Sequence, residues 1–150
     1  MNQNSLPYAR SFKELIVYQR QRQLARRVFE VSKSFPREEA YALTDQIRRS
    51  SRSIGGQIAE AWAKRDYERH FSSKLTDADG EQNETQHWIE TAQDCAYLDA
   101  NQSAELLNFF QEIGRMLQSM KDHAASFCPT DDLRTRETPD FFTDPADTEH

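Results

Sequence analysis

Residues 46–65 read QIRRSSRSIGGQIAEAWAKR, the most informative stretch of the chain for its fold. Two adjacent glycines stand at its centre, three arginines precede them, and apolar residues run through it at helical spacing. The stripe keeps a period of about 3.6 residues and consists of Leu43, Ile47, Ser51, Ile54, Ile58 and Ala61. A glycine inside a helix costs about 1 kcal/mol relative to alanine. The stretch therefore predicts an amphipathic helix whose glycines serve a purpose other than helix formation.

Comparable stripes occur in three further segments, so four helices are predicted over residues 12–34, 37–64, 68–98 and 100–123. Asp99 and Gln102 form a capping-box pattern at the start of the last helix. No segment alternates apolar and polar residues as a strand does. Four helices joined by short breaks predict an all-α fold, an antiparallel up-down-up-down four-helix bundle over residues 1–126.

The end of the chain differs in composition from the rest. Residues 128–150, CPTDDLRTRETPDFFTDPADTEH, contain three prolines and 7 acidic against 2 basic residues, without a helical period. Such a segment cannot bury enough apolar surface to fold by itself. We predict that residues 127–150 form an acidic, mostly disordered C-terminal tail.

Charge is distributed unevenly along the chain. Residues 1–70 contain 14 Lys and Arg against 8 Asp and Glu, whereas residues 71–150 contain 5 against 17. The resulting net charge of −6 weakens long-range attraction to nucleic acid. We expect the acidic half to neutralise the basic half within the fold or the assembly.

Membrane and secretory segments are not expected. No apolar run reaches the roughly 20 residues of a transmembrane helix, and the N-terminus lacks an apolar signal core. Two cysteines do not suggest a disulfide framework, so a reducing, cytoplasmic location without membrane contact is expected. We expect Cys95 to be a buried small residue and Cys128 to be an incidental tail cysteine.

Small residues line one face of the second predicted helix. Ser51, Gly55 and Ala59 recur every four residues, and Gly56 lies about 100° further round, where it should widen the strip. A strip of this kind lets another helix approach closely. An anion site at the glycines is less favoured, because no strand precedes them and no phosphate-loop motif is present.

The arginines Arg48, Arg49 and Arg52 have two interpretations, which are salt bridges to the third helix and contacts with nucleic-acid phosphates. The third helix carries an acidic cluster that could supply these salt bridges, which consists of Asp77, Asp79, Glu81 and Glu84. Arg48 and Arg52 are one helical turn apart and repel each other, so they need an anionic partner. Within its own helix, Arg49 can pair with Asp45 at the same spacing.

Catalytic and metal-binding motifs are not found. Glu84 and His87 form a single Glu-x-x-His, whereas di-iron bundles use two copies of this motif and further glutamates. No phosphate loop and no nucleophile-elbow motif occurs. We therefore expect no enzymatic activity, no metal and no cofactor.

Several apolar residues lie off the main stripes: Val17, Tyr18, Phe29, Trp62, Trp88, Leu107, Phe109 and Met116. A core made by four helices cannot readily bury them all. Exposed apolar patches usually mark association surfaces, which a closed oligomer would cover. The sequence thus predicts a homo-oligomer.

A set of motifs along residues 12–122 resembles one known family. The motifs are F-x-x-L at 12–15, F-P-x-E at 35–38, Q-I-R-R-S-S-x-S-I at 46–54, I-A-E at 58–60, K-L-x-x-A-x-G-E-x-x-E-T-Q at 74–86, and Tyr97-Leu98. They resemble the four helix bundle proteins, also called 23S rRNA intervening-sequence proteins. This resemblance implies a four-helix subunit without enzymatic activity that assembles into a homopentameric ring.

The resemblance also extends to the accessory variability protein of diversity-generating retroelements, which binds nucleic acid beside a reverse transcriptase. That relative is strongly basic, whereas this chain is acidic. Two functions therefore remain open. The first is a non-enzymatic oligomeric scaffold that contacts nucleic acid through Arg48, Arg49 and Arg52. The alternative is a protein–protein adaptor with an acidic tail, an unidentified protein partner and no nucleic-acid binding.

Overall fold

The computed structural model describes residues 9–129, and within them the chain has four α-helices and no strand. The helices are α1 (Ile16–Ser32), α2 (Leu43–Ala63), α3 (Glu68–Asp94) and α4 (Ala100–Asp122). Short 3-10 turns cover Phe12–Glu14, Arg37–Glu39 and Ala124–Ser126. The predicted all-α class and the order of the four helices are confirmed. In this part of the chain, no helix is both long enough and apolar enough to cross a membrane.

The start of α2 differs from the prediction. A helix was expected from Arg37, but the chain forms a 3-10 turn there and leaves helical geometry at Ala42, where φ is −120° and ψ is −105°. The Glu39 carboxylate then accepts a hydrogen bond from the backbone N–H of Leu43 at 3.3 Å. This bond satisfies one of the backbone donors that a helix start leaves free. Residues 40–42 consequently form a turn beside the first residues of α2.

The other boundaries also have local causes. The helix predicted from Phe12 starts at Ile16, because Ser11 caps a separate 3-10 turn through the Lys13 N–H at 3.0 Å. The third helix ends at Asp94 rather than Leu98, because Ala96 adopts a left-handed conformation with φ of 61°. Such a residue ends a helix and is usually glycine.

The apolar stripes of all four helices meet in one core. Its largest fully buried side chains include Phe71, Phe110, Ile47, Ile54, Ile58, Leu75, Ile89, Leu106, Ile113, Leu117 and Val28. Val17, which was expected off the stripe, is 2% exposed and belongs to this core. The middle of α3 is polar, as its sequence indicates, and Thr85 lies 2.9 Å from Ser50 of α2 through their hydroxyl oxygens.

Charged side chains join neighbouring helices at the margins of the core. Glu84 of α3 pairs with Arg49 of α2 at 2.8 Å, and further along, Lys74 of α3 pairs with Glu60 of α2 at 2.8 Å. The α1 helix packs against α2 and also meets α4. The first half of α2 contacts both neighbours, because Arg48 bonds to Ser32 of α1 while Arg49 pairs with Glu84 of α3.

The packed part of the chain extends past residue 126, where the tail was expected to begin. The Phe127 ring stacks on the Phe71 ring, with 5.8 Å between ring centres, and Cys128 is buried. The remainder of the predicted tail, residues 130–150, lies outside the described residues.

Candidate functional site

Arg48 is held by α1. Its Nε donates a hydrogen bond to the Ser32 hydroxyl at 2.8 Å, and its guanidinium group lies 4.7 Å from the centre of the Phe29 ring. A cation over an aromatic face is worth about 0.5–1 kcal/mol at an exposed site. These two contacts fix the position of Arg48 without neutralising its charge.

Two further cations surround the same ring. Arg52 lies 5.6 Å and Lys33 4.8 Å from the centre of Phe29. Lys33 also pairs with Glu30 at 3.3 Å, whereas neither Arg48 nor Arg52 makes an ion pair within residues 9–129. We call Lys33, Arg48 and Arg52 the Phe29 cation cluster.

Arg49 points in a different direction, towards α3. Its Nη2 lies 2.9 and 2.8 Å from the two carboxylate oxygens of Glu84, and its Nη1 lies 3.8 Å from Glu81. The intrahelical pair with Asp45 is not formed. Arg49 therefore makes the interhelical ion pair that was one of the two interpretations.

The interpretation as salt bridges to the third helix is wrong for Arg48 and Arg52, which lie against α1. Successive residues of a helix point about 100° apart, so Arg49 cannot share a face with its neighbour. Arg48 and Arg52, four residues apart, share the face that meets α1. Of the three arginines, Arg49 is thus paired with a carboxylate, whereas Arg48 and Arg52 are not.

The arginines line an open groove of about 530 Å³ along the first half of α2. Its lining residues are Ala40, Thr44, Asp45, Arg48, Arg49, Arg52 and Ser53. The lining therefore includes three guanidinium groups, two hydroxyls and one carboxylate. Arginine side chains bind phosphate and carboxylate through short, charge-assisted hydrogen bonds. The groove is chemically suited to an anion.

Two of the four members of the predicted acidic cluster on α3 do not reach the arginines. Asp77 lies 3.7 Å from Lys74 of its own helix, and Asp79 accepts a hydrogen bond from Gln82 at 2.9 Å. Within the described chain, the members of the predicted acidic cluster that reach the arginines are Glu81 and Glu84, and both contact Arg49.

Those two members, Glu81 and Glu84, share Arg49. Burial, followed by a hydrogen bond and negative charge from Glu84, raises the pKa of the Glu81 carboxyl, while the charge of Arg49 opposes the rise. One guanidinium group therefore serves two carboxylates. Because Arg49 is committed in this way, the charge available to a ligand resides on Arg48 and Arg52.

The small-residue strip packs against α1 over only part of its predicted width. Ser51 and Gly55 are buried, and a Cβ on Gly55 would lie 2.2 Å from Nε2 of Gln21, which is itself 4% exposed. Gly56 does not widen the strip, because it faces outward and a Cβ there would meet no atom within 4 Å. Ala59 is half-buried. The strip accommodates one glutamine side chain.

The Glu-x-x-His pair does not form a metal site in the structure. Glu84 binds Arg49, and His87 is exposed, with its ring 4.6 Å from the Trp88 ring. Among residues 9–129 there is no group of three or more side chains placed to hold a metal ion.

The two cysteines have the reverse of their expected environments. Cys95 is exposed, because α3 ends just before it, and Cys128 is buried beyond the last 3-10 turn. The sequence after residue 126 lacks helical periodicity, so it does not predict the buried position of Cys128.

Most of the off-stripe apolar residues pack at the edge of the core or lie under cations. Arg65 lies 4.2 Å from the Trp62 ring and Arg27 lies 5.2 Å from the Phe109 ring. The large apolar side chains that remain exposed in the described chain are Ile16, Tyr41, Tyr67 and Phe109.

Sequence reasoning missed Phe29 and Ser32 as partners of the arginines. Their spacing of three residues places them on one face of α1, and Phe29 is an aromatic residue off the main stripe. The register between α1 and α2, which brings them to Arg48, depends on the packed core and has no local sequence signal.

The comparisons with known proteins agree on the family. A family model described as 23S rRNA-intervening sequence protein matches residues 13–119. The chain belongs to this family. A solved structure from Bacteroides thetaiotaomicron, of a protein of unknown function from the S23 ribosomal protein family, is also similar. The two chains share 30% identity with a TM-score of 0.65, over 71% of this chain and 96% of the other. No functionally curated protein matches.

Proposed function

We propose that this member of the 23S rRNA-intervening sequence protein family is a non-enzymatic scaffold that binds nucleic-acid phosphates in the α2 groove. The observation that carries the proposal is the pair Arg48 and Arg52. They are one helical turn apart and lie over the same ring, yet no carboxylate of the described residues neutralises them. Like charges at this spacing destabilise a helix, and a phosphate would relieve that repulsion.

The contacts of Arg48 favour phosphate binding in a second way. The Ser32 hydroxyl occupies Nε, so both terminal nitrogens of the guanidinium group are left for a ligand. The Phe29 ring restricts the side chain further. A donor that is already held in place loses less conformational freedom on binding.

Fluorescence anisotropy with labelled RNA and DNA oligonucleotides at low salt tests this proposal. We expect Arg48→Ala with Arg52→Ala to weaken binding about tenfold or more, because two phosphate contacts are removed. The matched control is Arg69→Ala with Arg115→Ala. It also removes two charges, at exposed positions that make no ion pair in the described chain.

Equal losses in the two double variants would show that net charge, and not the groove, governs binding. Absence of binding to every oligonucleotide at low salt would overturn the proposal. The adaptor function would then take its place, with the negative balance of residues 71–150 available to a basic protein.

We also propose that the four helices form the antiparallel up-down-up-down bundle. The ion pairs between α2 and α3 support it, because the order of the residues is reversed. Arg49 pairs with Glu84, whereas Glu60, further along α2, pairs with the earlier Lys74 of α3.

The third part of the proposal is a homo-oligomer, with the family resemblance pointing to a pentameric ring. An apolar groove of about 560 Å³ lies between the start of α1 and the end of α4, with Ile16, Met116 and Phe127 in its lining. A ring that closes on itself would cover such a surface. Light scattering tests this, because a subunit mass of 17.5 kDa at micromolar concentration would contradict any oligomer.

A further inference from the structure

We infer that the α2 groove takes a single strand of nucleic acid in preference to a duplex, with Tyr41 stacking on an unpaired base. This inference rests on the proposed function of the same groove. Tyr41 is 96% exposed, more than any other large apolar side chain of the described residues. Tyr41 follows Ala40, which lines the arginine groove, so its exposed ring is available to a ligand at that groove.

Tyr41 belongs to the turn before α2. The chain leaves helical geometry at Ala42, and Tyr41 directly follows Ala40, which lines the groove as Thr44 does. Arg48 follows Thr44 by four residues, a rise of about 6 Å along the helix. The residue that precedes this exposed aromatic ring in the chain thus lines the same groove as the two charged arginines.

Tyr41 has no role in packing the subunit. Its ring and hydroxyl make no ring, cation or hydrogen-bond contact within residues 9–129. Other tyrosines are engaged, since Tyr18 lies 4.9 Å from the Phe12 ring and Tyr97 lies 5.6 Å from the Phe35 ring. A single exposed tyrosine is common on protein surfaces. What distinguishes Tyr41 is that Ala40, its neighbour in the chain, lines the same groove as the two arginines that lack a carboxylate partner.

An aromatic ring next to cationic side chains is the combination that single strands require. Arginines follow the phosphates, and aromatic side chains stack on bases whose faces are open. In a duplex the base faces are covered by neighbouring base pairs, so an exposed tyrosine gains little from it. Thr44, Asp45 and Ser53 add hydrogen-bonding groups in the same groove. The groove therefore offers contacts to both phosphate and base.

Anisotropy titrations with a single-stranded oligonucleotide and a duplex of equal length test the inference in the full chain. Tyr41→Ala should weaken single-strand binding by about 5- to 150-fold, the range for loss of one stacked base. Duplex binding should be unchanged, and so should the salt dependence, because the arginines are still present. Tyr41→Phe keeps the ring and should bind as the unmodified protein does. Tyr67→Ala, at a second exposed tyrosine, is the matched control and should have no effect.

The outcomes separate this inference from the proposed function. If Arg48→Ala with Arg52→Ala weakens binding but Tyr41→Ala does not, the groove binds phosphate and the stacking role is wrong. If the duplex binds as tightly as the single strand, the preference is wrong. A reduced oligomer mass for Tyr41→Ala, with unchanged binding, would place the ring in a subunit interface and overturn the inference. If no oligonucleotide binds, the proposed function fails as well.

Discussion

The guanidinium group of Arg48 lies 4.7 Å from the centre of the Phe29 ring, and one turn of α1 supplies both this ring and the Ser32 hydroxyl that Arg48 binds. Neither partner carries a negative charge, so the arginine is positioned but not neutralised. Arg49, the next residue, is neutralised by α3. Two adjacent arginines of one helix thus have different roles, and the difference follows from which neighbouring helix each one meets.

Phe29→Leu should remove the contact between the ring and the Arg48 guanidinium group while keeping most of the apolar volume of the side chain. We expect the free energy of unfolding to fall by about 1 kcal/mol, because contacts of a cation with a ring contribute about 0.5–1 kcal/mol each. Urea denaturation measures this change. The control is the same substitution in an Arg48→Ala background, where the loss should be smaller. Equal losses in the two backgrounds would mean that Phe29 does not act through Arg48.

The two adjacent glycines should respond oppositely to alanine. Gly55→Ala should lower the free energy of unfolding by about 1 kcal/mol, because its Cβ must displace the buried Gln21 side chain. Gly56→Ala should raise it by about 0.5–1 kcal/mol, because its Cβ meets open space and alanine favours the helix. Thermal and urea unfolding of both variants provide the comparison. Stabilisation of similar size by both substitutions would contradict the close contact at Gly55.

Glu81→Gln should stabilise the protein at neutral pH. Burial and Glu84 raise the pKa of Glu81 in the folded state, so the folded protein binds a proton more readily than the unfolded chain. For a group of this kind, stability falls as pH rises through the interval from the unfolded pKa to the folded pKa. Glutamine is uncharged and does not lose stability in this way. The stability gained by Glu81→Gln should therefore be full above that pH interval and absent below pH 4.5, the ordinary pKa of a glutamate side chain.

Unfolding curves at several pH values test this dependence. Glu84→Gln is the contrasting variant, because it takes the closest carboxylate from Arg49 and should cost about 0.2–1 kcal/mol at neutral pH. If Glu81→Gln gave the same change in stability at every pH, the raised pKa would be wrong.

Asp45→Asn should have opposite effects on binding and on stability. The carboxylate lies in the groove beside the arginines, so its removal should strengthen oligonucleotide binding by relieving repulsion of phosphate. Asp45 is also in the first turn of α2, where a negative charge favours the helix by about 0.3–1 kcal/mol. Anisotropy and urea denaturation measure the two effects. Weaker binding in this variant would indicate that Asp45 contacts the ligand favourably.

The two thiols should react at different rates with a thiol reagent. Cys95 is exposed and should react in the native protein, whereas Cys128 is buried and should react as the chain opens locally or globally. Mass spectrometry of labelled protein at short times should find one adduct per chain. Cys95→Ser should abolish this early adduct, and rapid labelling of Cys128 would contradict its burial.

The helices could be predicted from sequence because the apolar residues repeat with helical period through each of them. The stripe from Leu43 to Ala61 is the clearest case, and its apolar members are buried as expected. The boundaries could not be predicted, because they depend on local backbone choices. The turn that precedes Leu43 and the left-handed Ala96 have no distinct signal in the sequence.

The candidate site could be located from sequence but not resolved into its parts. The run of arginines lies in the segment of α2 that lines the groove. Which of them meets α1 depends on the register between helices, and the same register decides that Gly55 faces Gln21 while Gly56 faces outward. Residues distant in the chain, such as Phe29 and Arg48, come together through that register alone.

A salt titration of single-stranded oligonucleotide binding tests most directly whether Arg48 and Arg52 contact phosphates. Affinity should fall steeply between about 50 and 200 mM salt, because each neutralised phosphate of a single strand contributes about 0.7 to the logarithmic slope. Arg48→Ala with Arg52→Ala should reduce the magnitude of that slope by about 1.4, whereas Arg69→Ala with Arg115→Ala should leave it unchanged. An unaltered slope in the Arg48 and Arg52 variant, or no binding at the lowest salt, would contradict phosphate recognition by this groove.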